Sequence, residues 1–166
     1  MAPIELVIAL GNRFRRDDGV GLVAGEALRA QQWVPVRCLE KQGDGLRLLD
    51  AWRGARGVIL IDAVASGAPP GTLHRFEIDS QRGALAADAV GTTHSLSVRE
   101  TIELASALGE APERILAFGI EMGCCELGEG LTAAVERAVP TLIRAVLDEL
   151  ESQAKPERKE CTKPMS

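Results

Sequence analysis

Four cysteines occur in the chain, Cys38, Cys124, Cys125 and Cys161, and no two are spaced as CxxC. A thiolate-rich metal site is therefore not indicated. No apolar run approaches the length needed to span a bilayer. The opening segment MAPIELVIAL lacks the positively charged start of a signal peptide and leads directly into a strand-like run, so the expected compartment is the cytoplasm. Positive charge is not in excess: 19 Lys and Arg stand against 24 Asp and Glu, a net charge of −5. That balance argues against general nucleic-acid binding, which requires a basic face. The chain also lacks GxGxxG and the Gly-Lys-Ser/Thr of a phosphate-binding loop. It has only two histidines, His74 and His94, and no convincing Ser–His–Asp or Cys–His arrangement. No internal repeat or interdomain linker is evident.

What is present is enough for one core. The chain has 166 residues, 46% of them hydrophobic, which fits a single domain. Residues 1–151 read as that domain, and residues 152–166, polar and rich in Lys, Glu and Pro, read as a disordered tail. Near-continuous apolar runs at 4–10 and 57–64 predict strands buried on both faces, as in a parallel sheet. Further strands are predicted at 34–40, 114–120 and, as an alternating edge strand, 72–78. Helical spacing marks 18–30, a short stretch around Leu46, Leu49 and Trp52, and 95–108, where Ser97 and Glu100 are spaced as a capping box. A last helical stripe runs through Leu131, Val135, Val139, Leu142, Val146 and Leu150, with Pro140 expected to kink or split it. Residues 79–93 read as an irregular loop and 119–130 as a Gly-rich one. Strands alternating with helices predict an α/β fold with a mostly parallel sheet covered on both faces.

In such a sheet, ligands collect beyond the carboxyl ends of the strands. Three segments carry polar groups there. The first strand is followed by Gly11-Asn12-Arg13-Phe14-Arg15-Arg16-Asp17-Asp18-Gly19-Val20-Gly21. The third delivers Asp62 from a dry core, where a carboxylate without compensation costs on the order of several kcal/mol. Thr92-Thr93-His94-Ser95 precedes a helix. Two carboxylates at a phosphate-binding helix start are unfavourable, so a nucleotide or flavin site is a minor alternative. Asp18, Asp62 and His94 together, with open positions remaining, suit Ni(II), Zn(II), Mn(II) or Fe(II). Asp17 is expected to cap the first helix. Asn12 is expected to support the turn, and Arg13, Arg15 and Arg16 to form a solvated face. His74 is expected to be exposed and without a role. Cys38 is expected to be a core thiol, and Cys124 and Cys125 to be incidental.

Taken in order, several of these segments resemble the signatures of the hydrogenase maturation endopeptidases. Leu10-Gly11-Asn12 with Asp17-Asp18-Gly19-Val20-Gly21 is similar to their opening signature. Ile61-Asp62-Ala63-Val64, with Gly67 and Pro70-Gly71-Thr72, resembles the second, and Thr93-His94-Ser95 the histidine segment. Phe118-Gly119-Ile120-Glu121, a Gly-rich loop and Leu131-Thr132 resemble the last strand and helix start. The resemblance spans the chain apart from its tail. Two departures stand out: Asp18 where many relatives have Glu, and Met122 where relatives often have Pro. The resemblance implies a three-layer α/β/α sandwich with an about five-stranded sheet. It also implies an aspartyl-type endopeptidase acting on the large-subunit precursor of a nickel–iron hydrogenase, from which a C-terminal extension is removed after nickel insertion. The metal-contacting roles fall on Asp18, Asp62 and His94. Nickel would be carried by the substrate, and no organic cofactor, nucleic acid or membrane is expected as a partner. Two alternatives use the same residues: a non-cleaving sensor or chaperone of nickel loading, and a metallohydrolase of small substrates.

Overall fold

In the computed structural model, which describes residues 1–40, 45–80 and 95–154, the two most apolar runs form the middle of one sheet. β1 (Leu6–Gly11) is buried at every position. β3 (Gly57–Val64) is buried everywhere except at Asp62, which is half-buried. Strands of this kind need neighbours and cover on all sides. They are paired in parallel, Leu6 to Ala9 against Val58 to Ile61. β2 (Val36–Glu40) lies outside β1, and β5 (Arg114–Glu121) lies outside β3. β4 (Leu73–Ile78) closes the other edge antiparallel to β5. The order is β2-β1-β3-β5-β4.

Among the described residues, four α-helices cover the sheet. α1 (Val20–Arg29) and α4 (Ala133–Ala154) bury Val20, Ala24, Leu28, Val135, Val139, Leu142, Val146 and Leu150 on one face. α2 (Gly45–Trp52) and α3 (Ser95–Leu108) bury Leu48, Leu49, Trp52, Ile102 and Ala105 on the other. The expected three-layer, mostly parallel, five-stranded architecture is the one found.

Several expectations need correction. α1 begins at Val20, not Asp18, because Arg16–Gly19 forms a 3-10 turn. Arg16 has φ 49° and its N–H bonds Gly128, so an α-helix cannot start there. Ser97 lies inside the first turn of α3, two residues past its start, and is not an N-cap. Gly119 belongs to β5 and not to the following loop. α4 is not split at Pro140. Buried Val135, Val139 and Leu142 hold the helix to the sheet on both sides of that residue. Pro140 itself is exposed, so the carbonyl it leaves without a helical partner can turn to water. The helix also runs three residues past the predicted domain limit at 151. The Gln153 amide brackets Ile4, accepting from its N–H at 2.7 Å and donating to its carbonyl at 2.9 Å. The rest of the predicted tail, residues 155–166, lies outside the described residues.

Chain direction reverses between β1 and β3. From β1 the chain passes through α1 to β2 on one side, and from α2 it enters β3 on the other. The carboxyl ends of these two strands therefore flank the topological switch point. α1 is pressed against this seam. A Cβ on Gly21 would lie 2.2 Å from the Leu10 carbonyl oxygen, 2.8 Å from that of Ile61 and 3.3 Å from Asp62 Cα. Only glycine permits that approach. Replacing Gly21 by Ala is expected to lower stability by roughly 1–3 kcal/mol or more, the range for overpacking a rigid contact. Urea unfolding of the two proteins measures it, and an unchanged midpoint would contradict the packing described.

Candidate functional site

Asp62 is the first residue of β3 beyond its ladder with β1, which ends at the pair Ala9–Ile61. Its parity continues that of Val58 and Leu60, which face the α2–α3 layer, whereas Ile59, Ile61 and Ala63 face α1 and α4. α3 runs back toward the start of β5, so its first residues belong to the same carboxyl edge as Asp62. The Asp62 carboxylate accepts from the Ala63 N–H at 2.7 Å.

The loop leaving β1 brings Asp18 to this edge. Asn12 donates its N–H to the Asp18 carbonyl at 3.0 Å, and its side chain accepts from the Phe14 N–H at 3.0 Å. Asn12 thus supports the turn as expected. The Asp18 residue is 1% exposed, and three positions later Gly21 sits against the Asp62 backbone. Asp18 and Asp62 therefore share one edge of the β1–β3 seam. His94 lies outside the described residues.

The neighbouring Asp17 has a role that local spacing did not reveal. It is fully buried and makes no cap bond to α1 or to the 3-10 turn. Instead its carboxylate accepts from the N–H groups of Gly123 (2.8 Å), Cys124 (2.9 Å) and Thr132 (2.7 Å) and from the Thr132 hydroxyl (2.8 Å). Burial pushes this carboxyl up, but the bonds from Thr132, Gly123 and Cys124 outweigh it and hold the group below its ordinary value. Asp17 is a tie between two loops.

A second buried carboxylate ties the β3–β4 turn. Glu121 accepts from the Ser66 N–H and hydroxyl, each at 2.8 Å, and from the Gly67 N–H at 3.0 Å. His74 Nε2 lies 3.0 Å from the same carboxylate and its ring stacks on Phe76. His74 is therefore half-buried and partnered, not exposed as the strand alternation implied. Burial raises the Glu121 carboxyl, and the bonds from Ser66, Gly67 and His74 bring it below the usual range. Gly71, at φ 88°, completes the turn by donating its N–H to the Glu121 carbonyl at 2.8 Å.

The arginines divide. Arg13 pairs with Glu40 and, at 3.9 Å, with Glu26. Arg15 is exposed, and Arg16 is half-buried beside a cleft of about 120 Å³ that Leu22, Val23 and Leu131 also line. Cys38 is only partly buried, packed near Gly25, and its thiol is pushed up by burial. Cys124 and Cys125 are free thiols.

The fold and edge together define a doubly wound α/β protein whose carboxylates gather at the switch point of its sheet. Comparison with known proteins identifies the class more narrowly. A family model described as hydrogenase maturation protease matches residues 26–149, and the chain belongs to that family of peptidases. The matched span includes Asp62 and position 94 and starts after Asp18. The hydrogenase expression/formation protein HupD of Thiocapsa roseopersicina is 32% identical over 152 residues, covering 89% of this chain and 68% of that protein. The [NiFe] hydrogenase maturation protease HybD from Thermococcus kodakarensis aligns with a TM-score of 0.70 at 27% identity, over 92% of this chain and 99% of its own. The fold is also that of the hydrogenase maturating endopeptidase HybD from E. coli, with a TM-score of 0.75 at 24% identity over 90% and 93% of the two chains.

The Glu121 tie has a pH signature. A carboxylate held below its ordinary value stabilises the fold above the unfolded-state pKa, and that contribution is lost as pH falls through the folded-state pKa. Glu121→Gln is expected to be less stable at neutral pH by roughly 1–3 kcal/mol and to lose stability less steeply on acidification. Urea unfolding from neutral pH to about pH 3 checks both. Parallel curves for the two proteins would show that Glu121 is not one of the groups protonated on acid unfolding.

Proposed function

We propose that the chain is an endopeptidase that removes the C-terminal extension of a nickel–iron hydrogenase large-subunit precursor after nickel insertion. The feature that supports this reading is the placement of Asp18 and Asp62 at one edge of the β1–β3 seam, in a chain that belongs to the hydrogenase maturation protease family. His94 precedes α3, whose start belongs to the same edge, and we assign it the third position.

On this reading the metal belongs to the substrate. Nickel held by precursor cysteines presents open coordination positions, and Asp18, Asp62 and His94 engage it from the protease side. Carboxylate and imidazole donors suit that role. Peptide cleavage then uses a water activated beside the nickel, or a scissile carbonyl polarised by it. One of the two aspartates takes the proton from that water. The backbone around Asp62 is fixed by β5 on one side and by the close approach of α1 on the other. A cleavage that depends on the substrate's nickel is conditional on nickel insertion.

Asp62→Asn and His94→Ala are each expected to abolish processing, by at least a hundredfold, while the proteins stay folded. Intact-mass analysis of the cognate precursor, with and without nickel, reads this directly. Loss of a C-terminal peptide only from the nickel-loaded form, and only with wild-type enzyme, is the expected result. Normal processing by folded Asp62→Asn would overturn the metal-contact roles. Absence of cleavage by the wild type, with nickel-dependent binding retained, would identify a sensor of nickel loading instead.

A further inference from the structure

We infer that Asp17 is a positioning residue for this site, acting through Asp18 by setting the rotation of the turn that carries it; the inference rests on the metal-contact reading of Asp18. Asp17 and Asp18 are neighbours in the 3-10 turn Arg16–Gly19. Such a turn has three residues per revolution, so consecutive side chains leave its axis about 120° apart. Fixing the direction of one fixes the direction of the next.

The Asp17 carboxylate is held from two directions. Its four donors come from both ends of the 123–132 segment: Gly123 and Cys124 at the start, and the N–H and hydroxyl of Thr132 at the finish. Its own N–H donates to the Cys124 carbonyl at 3.0 Å. Flanking bonds between the same two loops, Arg16 N–H to Gly128 and Gly128 N–H to Phe14, each 2.9 Å, prevent the turn from sliding. The Asp18 carbonyl is held separately by the Asn12 N–H. Backbone bonds set where the turn sits, and the Asp17 carboxylate sets how it is rotated. A carboxylate is required because every partner donates; a carboxamide of the same shape would turn an NH2 group toward at least one N–H.

The two loops carry the exposed apolar side chains Phe14 and Leu127, 54% and 79% exposed. Asp17 therefore orients Asp18 relative to a surface that the precursor would meet, and not merely relative to the sheet. Misrotation of the turn displaces Asp18 from its target without unfolding the domain, and small displacements of a reacting group cost large factors in rate.

The test compares wild type, Asp17→Asn, Thr132→Val, Thr132→Ser and Glu149→Gln in turnover of the nickel-loaded precursor. Glu149 binds Arg114 and Arg75 at 2.6 and 3.1 Å on β5 and β4, away from the carboxyl edge, and so controls for loss of a partly buried carboxylate elsewhere. Asp17→Asn is expected to lower kcat at least tenfold with KM changed less than threefold, while Glu149→Gln leaves both within twofold. Thr132→Val, which removes one of the four donors, is expected to lower kcat threefold or more, and Thr132→Ser to restore it. A folded Asp17→Asn protein with kcat within twofold of wild type overturns the inference. Should Asp17→Asn not yield folded protein, the Thr132 pair decides: equal kcat for Val and Ser overturns it. Wild-type protein that fails to cleave the nickel-loaded precursor refutes the functional reading itself, an outcome separate from any of these.

Discussion

The closeness of α1 to the β1–β3 seam governs the rest of this molecule. With no side chain at Gly21, the first turn of the helix rests on the carbonyls of Leu10 and Ile61. That contact fixes where the chain leaving β1 must come back down, and so confines residues 12–19 to a tight arch over the strand ends. A larger residue would lift the helix, lengthen the arch and separate Asp18 from Asp62. The topology contributes the other half. Because the chain departs from the seam in opposite directions, the carboxyl ends of β1 and β3 flank a switch point, the place where open α/β sheets collect their ligands.

Around that gap the structure uses buried carboxylates as ties, and their partners are chiefly N–H and hydroxyl groups. Asp17 joins the first loop to the last, and Glu121 joins β5 to the β3–β4 turn. Neutral donors suit this use. A buried carboxylate paired with a single cation holds one direction, whereas three or four backbone and hydroxyl donors hold a whole loop, and together they compensate for desolvation. Both groups are held below their ordinary values by such bonds. The ion pairs of Arg99 and Arg144 lie within α3 and α4, and that of Arg53 just past the end of α2; all have largely exposed side chains, and such pairs contribute little.

The architecture was legible because it is written in local periodicity. The runs at 57–64 and 95–108 could be bounded from sequence alone, since hydrophobic content and its spacing decide whether a segment is a buried strand or an amphipathic helix. Asp62 could be placed at the sheet edge for the same reason. Asp17 could not be read correctly, because its partners are more than 100 positions away and an Asp before a helix has an ordinary local explanation. His74 was misread on similar grounds: alternation in β4 says which side chains share a face, but not that Glu121 waits on the neighbouring strand. Pro140 shows the converse error, a local rule overridden by packing. Its helix is held by the stripe from Val135 to Leu150, which offsets the proline's cost, and at an exposed position the carbonyl left without a helical partner is open to water. The one local sign of something unusual near Asp17 is the Arg16 backbone at positive φ, which spacing does not reveal.

The donor set proposed for the nickel-facing edge is chemically weak by design, and the weakness has a use. Precursor thiolates bind nickel strongly because they are soft and anionic. A protease edge built from thiolates would compete for the metal and strip it from the protein it is meant to finish. Two carboxylates and an imidazole can occupy open positions on a metal already held by sulfur without displacing it. On the proposed reading, that engagement would orient the scissile segment while leaving the nickel with the precursor. Such a scheme asks for precise direction instead of strong binding. It is the same demand that a glycine-thin helix contact and a four-donor carboxylate beside Asp18 are suited to meet.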